Sequence, residues 1–206
     1  MFTFDTKGGK ADVLAWGALQ NGDWGSQSHR AHGLALEAGF QPTKMKWKPW
    51  LRAGYFTSSG DKTAEGALGG RHGTFFQMLP TPRAYARFPF YNLMNNEDLF
   101  VQAILRPNAK TTLRADAHRL RLNSAADLWY AGGGAFNDTV FGYQGRPSGG
   151  NNGLATVFDL SVDRQINALT SVTLYAAHAS GGGAISNVHP AGDNGNFFYI
   201  ELSRKF

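Results

Sequence analysis

The stretch LRADAHRLRL, residues 113–122, sets Arg114, Asp116 and His118 at two-residue spacing and follows them with Arg119 and Arg121. In a β-strand, residues two apart share a face, so the first three stand in one column. A guanidinium pairs with a carboxylate through a planar fork. A column of such groups can hold a polyanion along its length. The apolar phase slips near Arg119, so that Leu120 and Leu122 become the apolar pair. A β-bulge there would bring Arg119 and Arg121 onto the same face as Arg114. Arg52, in WLRAGYFTS, and Tyr199, in the last segment, share that phase. The long stretch 59–96 adds Arg71, Arg83 and Arg87 and the aromatics Phe75, Phe76, Tyr85, Phe88, Phe90 and Tyr91. Each inward arginine has two possible uses. It can line a path for an anionic ligand, or it can pair with the inward acids Glu37, Asp116, Asp159, Asp163 and Glu201. The aromatics can likewise pack against the strands or offer stacking faces.

Other chemistries find little support. The chain has no cysteine, which removes disulfides, cysteine–metal sites and a thiol nucleophile. His178 and Ser180 share a strand face, and a nucleophile pair needs a third, orienting group, but a strand-adjacent His and Ser arise often by chance and ASGGG reads as the start of a loop. His29 and His32 lack a third metal ligand. The glycines of AGGGAF and SGGGAI form no phosphate- or dinucleotide-binding fingerprint. No catalytic residue, metal or cofactor is therefore expected. Asp61 and Asp127 lie just past strand ends, where turn or capping bonds are the expected use. The net charge of +5 and pI near 9.6 suit an anionic partner. No nucleic-acid-reading module accompanies them.

The elements that must carry these residues alternate with period two, which marks strands with unlike faces. TVFDLSVDRQ sets Phe158, Leu160 and Val162 against Asp159, Ser161 and Asp163. The end of the chain sets Phe198, Ile200, Leu202 and Phe206 against Tyr199, Glu201 and Ser203. Similar readings elsewhere give about nine strands and no helix. Short connections at 7–10, 41–46, 107–110 and 165–168 alternate with long ones at 20–28, 59–96, 123–152 and 180–195. That alternation predicts an all-β, antiparallel transmembrane β-barrel, with short turns at one end and long loops at the other. Charged residues make up only 17% of the chain and glycine is abundant. Both fit strands that show lipid only every second residue. Trp47, Trp50 and Phe40 are expected at one interfacial rim, and Trp129 and Tyr130 in the loop region. FTFDTKGG at the start is not a signal peptide. Nine strands also conflict with the even number usual in bacterial barrels. Together these predict that residues 1–206 are one barrel domain, the C-terminal portion of a larger barrel. A soluble β-sandwich binding module and an outer-membrane enzyme are the alternatives from other classes.

Several stretches resemble the alginate-export family of outer-membrane barrels. They are KPWLRAGYFTSSGD (48–61), GTFFQMLPTPRAYARFPFYNLMNNEDLF (73–100), LRADAHRLRL with DLWYAGGG (113–134) and FDLSVDRQINALTSVTLYAAHASGGG (158–183). The resemblance implies a bacterial outer-membrane channel of about 18 strands with an arginine-rich lumen that passes an anionic polysaccharide or small anionic solutes. A general diffusion porin is the other reading within the family. Outer-membrane lipid and lipopolysaccharide are the implied surroundings. The apolar alternation of Phe198, Ile200, Leu202 and Phe206 resembles the C-terminal signal read by the barrel-assembly machinery.

Overall fold

The computed structural model describes residues 1–62, 70–78, 85–131 and 143–206. Alternating polarity lets a strand bury one face and leave the other open, and nine such strands form one antiparallel meander. They are β1 (Phe2–Thr6), β2 (Gly9–Trp24), β3 (Gln27–Pro42), β4 (Trp50–Ser58), β6 (Glu97–Asn108), β7 (Thr111–Arg121), β10 (Gly153–Gln165), β11 (Thr170–Gly181) and β12 (Asn194–Arg204). Each pairs with the next in that order, leaving β1 and β12 as the two edges among the described residues. Between them lie β5 (Arg71–His72), which pairs with β3, and a hairpin of β8 (Leu128–Ala131) and β9 (Gln144–Pro147).

One face of the sheet is open and apolar. Leu36, Leu51, Leu99, Val101, Phe158, Leu160, Phe198, Ile200 and Leu202 all stand exposed on it, Ile200 at 64%. The opposite face is covered. One register row crosses it from β2 to β12 through Asp12, Gly39, Arg52, Gln102, Asp116, Asp159, Ala177 and Phe197. Near the loop end, residues 73–78 and 85–96 fold back over this face. Ser58 N–H donates to Asn96 O at 2.8 Å and Phe75 N–H to Ser59 O at 2.8 Å. Phe75, Tyr91 and Leu93 there join Ala35, Phe56, Leu120, Leu122, Trp129 and Val157 in one buried apolar cluster. Burying each large side chain contributes about 1.5–3 kcal/mol.

Three expectations are corrected. The stretch 20–28 is not a long loop: β2 and β3 continue to Trp24 and Gln27 and pair across a two-residue turn at Gly25, whose φ is 61°. Glycine meets no steric penalty in that left-handed region. Each strand of this hairpin has 16 residues, about 50 Å of extended chain. A short helix, α1 (Gly183–Val188), occupies part of the stretch 180–195. Trp50 points to the covered face, donating Nε1–H to Asp12 Oδ2 at 2.8 Å, and so does not join Trp47 and Phe40, which are exposed. A side chain on Gly39 would overlap Asp12 Oδ2 and stand 2.7 Å from Trp50 Nε1. The absent Cβ is what lets this bond form.

At the tip of the β2–β3 hairpin, Trp24 stacks on His72 at 4.5 Å, and His29 Nδ1 lies 2.8 Å from His72 Nδ1. Two imidazoles can share that bond only if one nitrogen carries no proton. Burial, and then His29, hold His72 below its ordinary value of 6.5. The folded form therefore binds fewer protons than the unfolded one, so stability is kept above pH 6.5 and declines as pH falls below it. We expect Trp24 emission to change and protease cleavage near Arg71 to quicken on going from pH 7.5 to 5. The Trp24→Phe difference spectrum isolates the signal, and a flat profile would mean the pair is not structural.

Candidate functional site

Strand pairing and pleat bring the covered-face polar residues into three groups. In the first, Arg52 of β4 lies 2.9 Å from Glu37 Oε2 and 3.2 Å from Asp12 Oδ1. Its guanidinium also sits 4.7 Å from the Trp50 ring centre, a cation–π distance. Tyr85, from the folded-back segment, donates to Glu37 Oε1 at 3.1 Å and accepts from Trp16 Nε1–H at 2.9 Å. It packs on Phe56 at 5.7 Å. Arg52 and Tyr85 are therefore tied into the wall.

The second group spans β6, β7 and β10. His118 Nδ1 lies 3.0 Å from both carboxylate oxygens of Asp98, and Tyr91 donates its hydroxyl to Asp98 Oδ2 at 2.9 Å. Asp116 and Asp159 stand directly opposite each other in the β7–β10 register. Tyr175 donates to Asp159 Oδ2 at 3.0 Å. Asp98, Asp116, His118 and Asp159 are all buried. Burial pushes the Tyr91 hydroxyl well up, with Asp98 adding to it, so it remains a donor.

The third group carries cations with no carboxylate at ion-pair distance among the described residues. Arg87 donates to Tyr199 Oη at 3.3 Å and lies 6.0 Å from the Tyr175 ring centre. Tyr175 and Tyr199 stack at 4.9 Å. Arg114 of β7 is half-buried on the same face, two residues along from Asp116.

The expected phase slip in β7 does not occur. Asp116, His118 and Leu120 are buried while Arg119 and Arg121 are exposed. Both arginines thus point to the open face, beside Tyr55, Leu99 and Glu97. The irregularity lies across the ladder instead, between Gly153 and Ala155 of β10. Leu120 and Leu122 turn inward because the folded-back loops give them an apolar cluster to join. Arg83 lies outside the described residues. Phe198, Ile200 and Leu202 stand on the open face of β12, and Phe206 is exposed at its end. His178 lies 3.2 Å from Ser180 through Nε2 and 2.8 Å from Asn196 Oδ1 through Nδ1, exposed on the open face.

Asp61 and Asp127 make the turn bonds expected of them. Asp127 Oδ2 accepts from Asp61 N–H at 2.8 Å and Thr74 Oγ1 at 2.6 Å, and Oδ1 from Leu128 N–H at 2.6 Å and Tyr130 Oη at 3.0 Å. This one carboxylate ties three loop segments together. Asp127→Ala should therefore cost about 1–3 kcal/mol from the unsatisfied donors and speed proteolysis of the segment around Thr74. Equal nicking rates for the two proteins would contradict that role. At the same end, Arg30, His32, Asp61, Lys62, Arg71 and Asn123 border an open cavity of 540 Å³.

Asp12 and Asp98 were not singled out from the sequence. For Asp98 the signal was present, since Leu99 and Val101 pointing outward put Asp98, Phe100 and Gln102 inward. For Asp12 the alternation in β2 is blurred by Ala11, Ala15, Gly17 and Ala18.

A family model described as alginate export matches residues 9–197. The chain belongs to the alginate-export family. No curated protein matches it. The family is one of export and transport, and it fits an all-β sheet whose polar groups gather on one face and whose apolar residues gather on the other. Within this alginate-export chain, Arg52 is neutralised by two carboxylates. Arg87 and Arg114 are two covered-face arginines without a carboxylate at ion-pair distance among the described residues.

Proposed function

We propose that the chain forms part of the wall of an outer-membrane β-barrel channel that passes an alginate-like anionic polysaccharide or small anionic solutes. The observation that carries this reading is the row of large apolar side chains exposed across the open face, the mark of an interaction or membrane surface, backed by a polar covered face in a member of the alginate-export family. A membrane leaves no strand edge unpaired. The free edges of β1 and β12 therefore call for further strands, and we read residues 1–206 as one domain within a larger barrel of about 18 strands. Lipid and lipopolysaccharide would cover the open face, with Trp47 and Phe40 at one rim. Phe198, Ile200, Leu202 and Phe206 would present the signal to the assembly machinery.

In such a channel the conduit would run past Arg87, Arg114 and Tyr199. Fixed cations there would replace part of the hydration of each carboxylate while letting it leave. Arg52, Asp116, His118 and Tyr85 would act as wall. A general diffusion porin is the second reading, favoured by the buried acids Asp98, Asp116 and Asp159 on the same face. Planar-bilayer recordings of the protein as encoded separate the two. A polysaccharide conduit should prefer anions and be blocked by polyuronate oligomers, and Arg87→Gln with Arg114→Gln should weaken both effects. Arg119→Gln and Arg121→Gln, on the open face, should leave selectivity unchanged. Absence of anion preference and of block would favour the porin.

A further inference from the structure

We propose that Asp116, His118 and Asp159 form a binding site for one divalent transition-metal ion, of which Zn²⁺ is the best match. Donor atoms of these three residues lie within 4.8 Å of one another, and all three residues are buried. Two independent observations make them more than a cluster of acids. The first is the histidine. His118 is 2% exposed and spends Nδ1 on Asp98, while its buried Nε2 has no hydrogen-bond partner among the described residues. A buried ring nitrogen without a partner is costly, and a metal ion satisfies it. The second is the pair of carboxylates. Asp116 and Asp159 face each other in register, and neither lies within ion-pair distance of a lysine or arginine among the described residues. Asp116 Oδ1 is buried and also unpartnered. Like charges directly opposite on a sheet repel, so something must compensate them.

The surrounding geometry is that of a metal-ligating histidine. Such a residue normally gives its other ring N–H to a carboxylate, which fixes the tautomer and orients the ring. Asp98 does this for His118, and Tyr91 in turn holds Asp98. Tyr175 orients Asp159 in the same way. One imidazole and two carboxylates suit Zn²⁺, with bonds of about 2.0–2.2 Å that set ligand atoms roughly 3.3 Å apart. Small rotations of the Asp116 and Asp159 side chains close that gap. An imidazole ligand disfavours Mg²⁺ and Ca²⁺, which take oxygen donors. A 2+ ion would cancel both carboxylates and clamp β7 to β10 on the covered face. The alternative occupant is a proton shared between Asp116 and Asp159.

The test uses the whole protein folded in detergent, stripped with a chelator and titrated with Zn²⁺, with Co²⁺ as the spectroscopic probe. A site predicts one equivalent of tightly held Zn²⁺, a visible Co²⁺ absorption band displaced by Zn²⁺, and a rise in unfolding temperature on adding metal. Asp116→Asn and Asp159→Asn should abolish all three. Asp98→Asn, one bond removed from the metal, should weaken binding by about 10–100-fold while keeping the stoichiometry. The proposal is overturned if the folded wild-type protein retains no Zn²⁺ and gives no Co²⁺ band. It is equally overturned if Asp116→Asn binds metal as the wild type does. In a shared-proton pair, Asp159→Asn would raise the unfolding temperature with or without metal. Should an Asn variant fail to fold, the wild-type Co²⁺ titration alone decides the question.

Discussion

Arg52→Ala should destabilise the folded protein by about 3–5 kcal/mol, because it strands buried charge rather than deleting a surface contact. Glu37 and Asp12 are 6% and 4% exposed, and both direct an oxygen at the same guanidinium. Without it, the two carboxylates lose the cation they share across β2, β3 and β4, while Trp50 and Tyr85 still donate to them. Gly39, between Asp12 and Arg52 in the register row, offers no side chain to fill the gap. The check is the urea midpoint of protein folded into phospholipid vesicles, followed by loss of the compact band on unheated gels. A second variant separates charge from packing. Arg52→Leu combined with Asp12→Asn and Glu37→Gln should recover most of the loss, since a neutral, well-filled site has no desolvated charge. A change of less than about 0.5 kcal/mol in the single variant, the range of an ordinary surface substitution, would mean that water reaches the two acids. Arg52 would then return to the list of conduit residues.

The second large effect is expected at Asp98. It is fully buried and serves two partners, His118 Nδ1 and the Tyr91 hydroxyl. Asp98→Ala leaves the buried His118 Nδ1 and the Tyr91 hydroxyl without their acceptor, for a loss of about 1–3 kcal/mol at each. It also frees the folded-back segment, because Tyr91 is one of its anchors on the wall. Hydrogen exchange at residues 90–96 should accelerate together with the fall in global stability. Asp98→Asn keeps the shape and one acceptor and should lose less than half as much. If Tyr91→Phe proves as damaging as Asp98→Ala, the Tyr91 hydroxyl rather than the His118 bond is the main contribution.

These two sites also mark what the sequence could disclose. The period-two alternation in β10, β11 and β12 was legible because Phe158, Leu160, Leu174 and Ile200 are large and their neighbours polar. The same alternation in β7 and β12 placed Asp116, His118 and Tyr199 on the covered face. It failed at Arg119 and Arg121, where the reading equated apolar with outward. Leu120 and Leu122 are apolar and inward, because segments distant in sequence cover that end of the sheet. No local pattern reports such a cover. The β2–β3 hairpin was misread for a related reason. Its tip, NGDWGSQS, has the composition of a loop, yet backbone pairing continues through it to Gly25. Ion-pair partners were the least legible feature. That Arg52 meets Glu37 and Asp12 depends on strand neighbours and register, and alternation alone fixes neither.

The most direct test of the central proposal is the lipid exposure of the open face. The chain has no cysteine, so one introduced residue carries a spin label uniquely. Labels at Leu160→Cys, Leu174→Cys and Ile200→Cys should, in reconstituted membranes, be relaxed by oxygen dissolved in the bilayer and shielded from a water-soluble nickel reagent. Labels at Thr173→Cys and Tyr199→Cys, on the covered face, should show less of the oxygen effect. That alternation along β11 and β12 is the signature of strands in a membrane wall. Nickel accessibility at all three open-face positions would contradict it and leave a water-exposed sheet in place of a channel wall.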